Sequence, residues 1–146
     1  MRTIRVQRTL HAPAERVFDV LADHAGYTRF SGVKSAKVLR PGQTDPNGLG
    51  ALREISTGFS WFQEEITVFD RPRRLEYRIV RGSMPIEHDL GRIDIEPTND
   101  GVEVTWTSTF RIALPVIGGL LTTIAVRQMG GLFSTALAAV ETYARA

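Results

Sequence analysis

The segment that most constrains the fold is the last long apolar run, Leu114 to Ala146, which reads as a C-terminal helix carrying two apolar faces. At about 100° per residue, Met129, Leu132, Phe133, Ala136, Leu137, Val140 and Tyr143 share one stripe, as a core-facing helix requires. Upstream, Ile117, Leu120, Leu121, Ile124 and Gln128 form a second stripe, rotated by roughly a third of a turn or more, and Gly130-Gly131 lies at the join. One straight helix cannot press both stripes against the same side. The preceding chain must therefore supply a surface that receives a long helix. For the first half two readings stand. Either the glycine pair bends the helix so that Ile117–Ile124 leaves the sheet as a flap, dimer contact or lipid-facing patch, or a straight helix packs its extra apolar residues under rim loops.

The chain before it supplies strands. Arg2 to His11 alternates Ile4, Val6, Arg8 and Leu10 against Arg5, Gln7 and Thr9, a half-buried first strand. Pro13 suits a first helical turn, and Ala14, Val17, Phe18 and Leu21 make an apolar face ending near Asp23-His24-Ala25-Gly26. A further short turn over Tyr27–Phe30 follows. From Val33 onward the chain is an antiparallel meander, broken at Pro41–Gly50, Gly58, Asp70–Arg73, Gly82–Pro85 and Asn99–Gly101. The strands predicted between the breaks are 33–40, 51–57, 60–70, 75–81, 86–98 and 102–111. No linker or repeat interrupts them, so residues 1–146 form a single domain whose core buries roughly two thirds of the unfolded surface.

Composition excludes several chemistries. There is no cysteine, which removes disulfides, thiolate metal sites and thiol nucleophiles, and fits a cytoplasmic location. The N-terminus has no apolar signal core, and the run Ile112–Ile124 is too short and interrupted to span a bilayer, so a soluble protein is expected. The net charge is +2, but the arginines alternate with acids along the strands, as in Arg53-Glu54 and Arg92-Ile93-Asp94, rather than forming a basic stripe. No nucleic-acid partner is expected. No three residues have metal-ligand spacing, and no phosphate loop or cofactor fingerprint is present, so neither metal nor cofactor is expected.

The motif order resembles the START-like, helix-grip superfamily, in particular the bacterial polyketide cyclase/dehydrase and lipid-transport branch often labelled SRPBCC. The residues that carry it are His11-Ala-Pro-Ala-Glu-Arg-Val-Phe-Asp-Val-Leu-Ala-Asp23, Tyr27-Thr-Arg-Phe30, Gly48-Leu-Gly-Ala-Leu-Arg53, Val68-Phe-Asp-Arg-Pro-Arg-Arg-Leu-Glu-Tyr77 and Asp100-Gly-Val-Glu-Val-Thr-Trp106. All are turns and core positions, so the resemblance speaks to fold more than to chemistry. It implies an α+β helix-grip fold: a seven-stranded curved antiparallel sheet, two short helices after the first strand, and the long C-terminal helix across the concave face. Such a sheet leaves a cavity beneath the helix.

Alternation selects the candidate lining. On the last strand Trp106, Ser108 and Phe110 share the inward face with Val102 and Val104. On the strand before it, Ile86, His88 and Leu90 are in register, with Gly91 a bulge after which Ile93 and Ile95 face inward. His88 thus points into the cavity and is a candidate proton carrier. His11 and His24 sit at the ends of elements and attract no role. On the longest middle strand the register stays open. With Phe62, Glu64, Ile66 and Val68 inward, Glu64 is a carboxylate in an apolar wall whose pKa burial would raise; with the opposite register Trp61 lines the pocket and Glu64 is solvated, the safer reading. Arg53 shares the ambiguity. Leu75, Tyr77 and Ile79 face inward, and Tyr77 offers a phenol. Phe30, Met84, Met129 and Phe133 complete the candidate ligand-binding set, with rim loops at 27–30, 41–50 and 82–85.

Three functions are carried forward. The first is binding of a hydrophobic small molecule of lipid, polyketide or isoprenoid type. The second is a cofactor-independent cyclase/dehydrase in which His88, with Glu64 or Tyr77, moves protons. The third is a lipid shuttle that contacts membranes transiently through residues 112–124. The sequence leaves the choice between monomer and homodimer open.

Overall fold

A computed structural model describes residues 1–146. The elements follow the predicted order: β1 (Arg2–Leu10), α1 (Ala14–Ala22), a short 3-10 helix (His24–Arg29), β2 (Ser35–Arg40), β3 (Leu52–Ser56), β4 (Trp61–Asp70), β5 (Arg74–Gly82), β6 (Ile86–Pro97), β7 (Val102–Ile112) and α2 (Gly118–Arg145). The strands form one antiparallel sheet in the order β1-β7-β6-β5-β4-β3-β2. It is a meander whose first strand closes against its last, with Ile4 opposite Ser108 and Val6 opposite Trp106. This is the helix-grip arrangement.

Bulges decide which residues face the helix, because one extra residue reverses the alternation. In β4 a register shift at Thr67 passes the inward face from Ile66 to Phe69, so Val68, expected inward, is turned out. Phe69 then meets Phe18 of α1 edge-on at 5.1 Å between ring centres. In β6 the extra residue is Asp89, two positions earlier than expected, which turns Leu90 outward and sets Gly91 inward opposite Ser108.

α2 is continuous through Gly130-Gly131. An added Cβ at Gly131 would meet nothing, and one at Gly130 would meet only Ile4 Cγ2 at 3.8 Å, so neither helix nor packing breaks there. Its second half buries Phe133, Ala136, Leu137, Val140 and Ala144 in a core shared with Val17, Phe18 and Leu21 of α1 and with Val102 and Val104 of β7. Its first half turns Leu121, Ala125 and Gln128 toward an open space above the sheet, rather than packing under rim loops. Leu120, on the other side, is 63% exposed. No helix is long and apolar enough to cross a membrane.

Candidate functional site

The space between the concave sheet and the first half of α2 is a cavity of about 250 Å³ with mostly apolar walls. Phe30, Arg53, Tyr77, Met84, Trp106, Phe110, Met129 and Phe133 all line it. Trp106 and Phe133 stack face to face at 4.0 Å, joining β7 to α2. Hairpin residues Thr57 and Ser60 also reach the cavity, whereas loop 41–50 does not.

Two expected lining residues are elsewhere. Trp61 lies on the opposite face of β4, beneath the Arg81 guanidinium at 5.9 Å, because the register places Phe62 and Glu64 inward. His88 faces inward, but it is held within the sheet behind Ser108 and does not line the cavity. Its bare Nδ1 accepts the Ile79 N–H at 3.0 Å, so the ring proton sits on Nε2 and donates to Ser108 Oγ at 3.2 Å. Burial, aided by the Arg78 charge, lowers its pKa to about 4. A neutral imidazole with both nitrogens engaged in the sheet is a poor proton carrier.

Arg53 and Glu64 resolve each other's ambiguity. They are directly opposite across β3 and β4, both on the inward face. Arg53, 1% exposed, donates through Nε to Glu64 Oε1 at 2.9 Å, and Nη2 lies 2.8 Å from the same oxygen. The remaining nitrogen, Nη1, donates to Tyr27 Oη at 3.1 Å and to His24 Nδ1 at 3.0 Å. His24 in turn donates from Nε2 to the Asn47 carbonyl at 2.8 Å, and Tyr27 donates to the Leu21 carbonyl. Sequence reasoning assigned no role to His24 and placed Tyr27 only at the rim. Both lie in the short helix that closes over Arg53. Burial, reinforced by the Arg53 charge, lowers the His24 pKa to about 3, so the ring stays neutral and can accept from the guanidinium.

The cluster leaves few polar atoms free. Burial raises the Glu64 carboxyl above its ordinary range while Arg53 pulls it back; Arg53 itself, despite burial, is held cationic by Tyr27 and Glu64. Glu64 Oε2 takes no protein hydrogen bond and belongs to the cavity wall. The Tyr77 hydroxyl accepts from Trp106 Nε1 at 2.9 Å, and burial keeps its phenol protonated. The inner end of an apolar cavity therefore presents one carboxylate oxygen and one phenol. No group of three His, Cys, Asp or Glu side chains is arranged to hold a metal.

An antiparallel sheet gripping a long helix over a closed-ended apolar cavity defines a class of ligand-binding proteins. The sequence matches the family profile "Polyketide cyclase / dehydrase and lipid transport" over residues 1–145, and the chain belongs to that family. No curated protein sequence matches it. Among solved structures it is similar to TTHA0849 from Thermus thermophilus, with 22% identity, a TM-score of 0.78 and coverage of 98% of this chain and 97% of that one. A START superfamily protein from Mycobacterium smegmatis shares 14% identity at a TM-score of 0.76, covering 96% and 97%. The Zhui aromatase/cyclase from Streptomyces sp. R1128 shares 22% identity at a TM-score of 0.73, covering 99% and 93%. At these identities the likeness speaks to the fold.

Proposed function

We propose that the protein binds an apolar small molecule between the sheet and α2, with one polar group of the ligand held at the inner end. The observation that carries this reading is the pairing of an apolar cavity with a single polar cluster, Arg53–Glu64–Tyr77, in which Glu64 Oε2 and the Tyr77 hydroxyl retain hydrogen-bonding capacity. Apolar walls supply affinity in proportion to area removed from water, and a few placed polar groups set orientation. The neutral fluorophore N-phenyl-1-naphthylamine tests it. Wild-type protein should bind the probe at micromolar concentration, and Ala125→Trp, which fills the cavity from α2, should weaken binding about tenfold or more without lowering Tm. Equal binding by both proteins rejects the cavity as the site.

The burial-raised carboxyl of Glu64 favours a second reading, a cyclase/dehydrase acting on the bound molecule. In that case Glu64 and Tyr77, not His88, are the proton-handling groups, and Glu64→Gln abolishes turnover while sparing binding. The membrane-contacting shuttle rests on Val116, Ile117, Leu120 and Ile124, which are exposed on a segment with no acidic residue between Val104 and Val140. Leu120→Asp should abolish vesicle flotation in that case.

A further inference from the structure

We propose that Tyr77 and Ser108 form a two-donor site for a carbonyl-type acceptor on the ligand, a ketone or ester oxygen, with Trp106 and His88 as positioning residues behind them. The inference rests on the ligand-binding reading above and names the chemistry of the group that reading places at the inner end of the cavity.

Proton placement decides what each hydroxyl can offer a ligand. A hydroxyl can donate or accept, so its polarity toward a ligand is undetermined until its other partners are known. Here they are known for both groups. The indole N–H of Trp106 can only donate, so Tyr77 Oη is the acceptor in their 2.9 Å bond. A backbone N–H also can only donate, so the Ile79 N–H forces His88 Nδ1 to be bare and Nε2 to carry the proton. That proton goes to Ser108 Oγ, which is again the acceptor. Neither hydroxyl gives its own proton to any protein acceptor, and both residues line the cavity. A third hydroxyl in the cluster, that of Tyr27, differs: it accepts from Arg53 and gives its proton to Leu21, leaving nothing to offer.

Topology brings the two free donors together. Tyr77 on β5 is opposite Gly91 on β6, which is opposite Ser108 on β7. A Cβ at Gly91 would fall 2.5 Å from Tyr77 Cε2, so the tyrosine ring lies across the glycine and leans toward β7. The bulge at Asp89 that turns Gly91 inward also brings the His88 ring to the Ile79 N–H, where a paired strand would offer a backbone carbonyl. One irregularity thus opens the floor for the Tyr77 ring and orients Ser108. A buried hydroxyl whose proton has no acceptor is costly in an apolar wall, and a ligand carbonyl relieves that cost twice over.

Two probes of one shape test the assignment: 2-acetylnaphthalene, and 2-isopropenylnaphthalene, in which CH₂ replaces the carbonyl oxygen. Dissociation constants are read by displacement of N-phenyl-1-naphthylamine. Wild-type protein should bind the ketone at least as tightly as the hydrocarbon, although the ketone is the better hydrated of the two. Tyr77→Phe and Ser108→Ala should each weaken the ketone about fivefold and leave the hydrocarbon unchanged. His88→Leu should behave like Ser108→Ala, and His88→Gln, whose amide N–H₂ reaches the place of Nε2–H, should restore the ketone preference; a purely structural histidine would lower both probes alike. A wild-type protein that binds the hydrocarbon tenfold more tightly than the ketone overturns the two-donor site while leaving the cavity reading intact. Failure of both probes and of the fluorophore to bind overturns the cavity reading itself.

Discussion

The two halves of α2 share one continuous helix, yet they do opposite work. Beyond Phe133 the helix packs against α1, β1 and β7, with Leu137 and Val140 completely buried, whereas Tyr143, expected on the same stripe, is exposed beneath the Arg29 guanidinium. Before Met129 the inward stripe of Leu121, Ile124, Ala125 and Gln128 faces a cavity, and the outward positions Ile117 and Leu120 are open to solvent. What differs is the receiving surface: α1 packs against the second half of the helix, whereas the first half faces a cavity rimmed by Phe30, Thr57, Ser60 and Met84. Apolar periodicity therefore marks where a helix faces its own protein, not whether protein is there to meet it. On the binding reading proposed above, the unmet half is where the ligand sits.

The largest effect is expected at the boundary of the two regions. Arg53→Met strands the buried Glu64 carboxylate and should cost about 3–5 kcal/mol, whereas Arg53→Met combined with Glu64→Leu should recover most of that loss in urea titrations. Next, Leu137→Ala in the closed half should cost about 3–5 kcal/mol, because its cavity cannot collapse. Leu121→Ala in the open half should cost less than about 1 kcal/mol, since it enlarges a space already present. Equal costs would refute the division.

Acid acts through the buried histidines. His24 and His88 are buried neutral, with pKa values lowered to about 3 and about 4 from an unfolded value near 6.5. Their contribution is complete above the unfolded value and is lost as pH falls from about 6.5 toward those folded values, at up to about 1.4 kcal/mol per pH unit for each ring. Glu64, raised by burial, runs in the opposite sense, losing stability as pH rises from the ordinary carboxylate range through its folded value. His88→Gln should flatten the acid limb of a Tm–pH curve by about half between pH 6.5 and 4, and an unchanged slope would contradict a neutral buried ring. The smallest signal is kinetic: amides of Leu120–Ala125 should exchange sooner than those of Phe133–Val140.

The fold was legible because alternation, turn residues and helical period all point to one meander and one gripping helix. Much of the cavity lining was legible for the same reason. The errors sit where one residue of offset matters. The bulges at Thr67 and Asp89 reverse the faces of Val68 and Leu90; nothing in Glu-Ile-Thr-Val-Phe announces the first, and Gly91 announces a bulge in β6 but not its position two residues earlier. The pattern leaves Glu64 open between cavity wall and solvent, with solvent the safer reading, and Arg53 shares the ambiguity; nothing in the alternation pairs the two. A signal did exist. The tight turn around Gly58 sets residue 53 opposite residue 64, and two opposite charges in register on one face can be buried together. His24 had no such signal, since its partners arrive from a distant strand and from the carbonyl of Asn47.

Gly91 gives the arrangement an unusual economy of information. The residue does not line the cavity and carries no functional group, yet the ring of Tyr77 occupies the volume its side chain would fill. One methyl at that position would lift the phenol away from Trp106 and free its hydroxyl to turn. The pocket's chemical preference could thus be rewritten from beneath its floor, by a substitution that alters no residue lining the cavity.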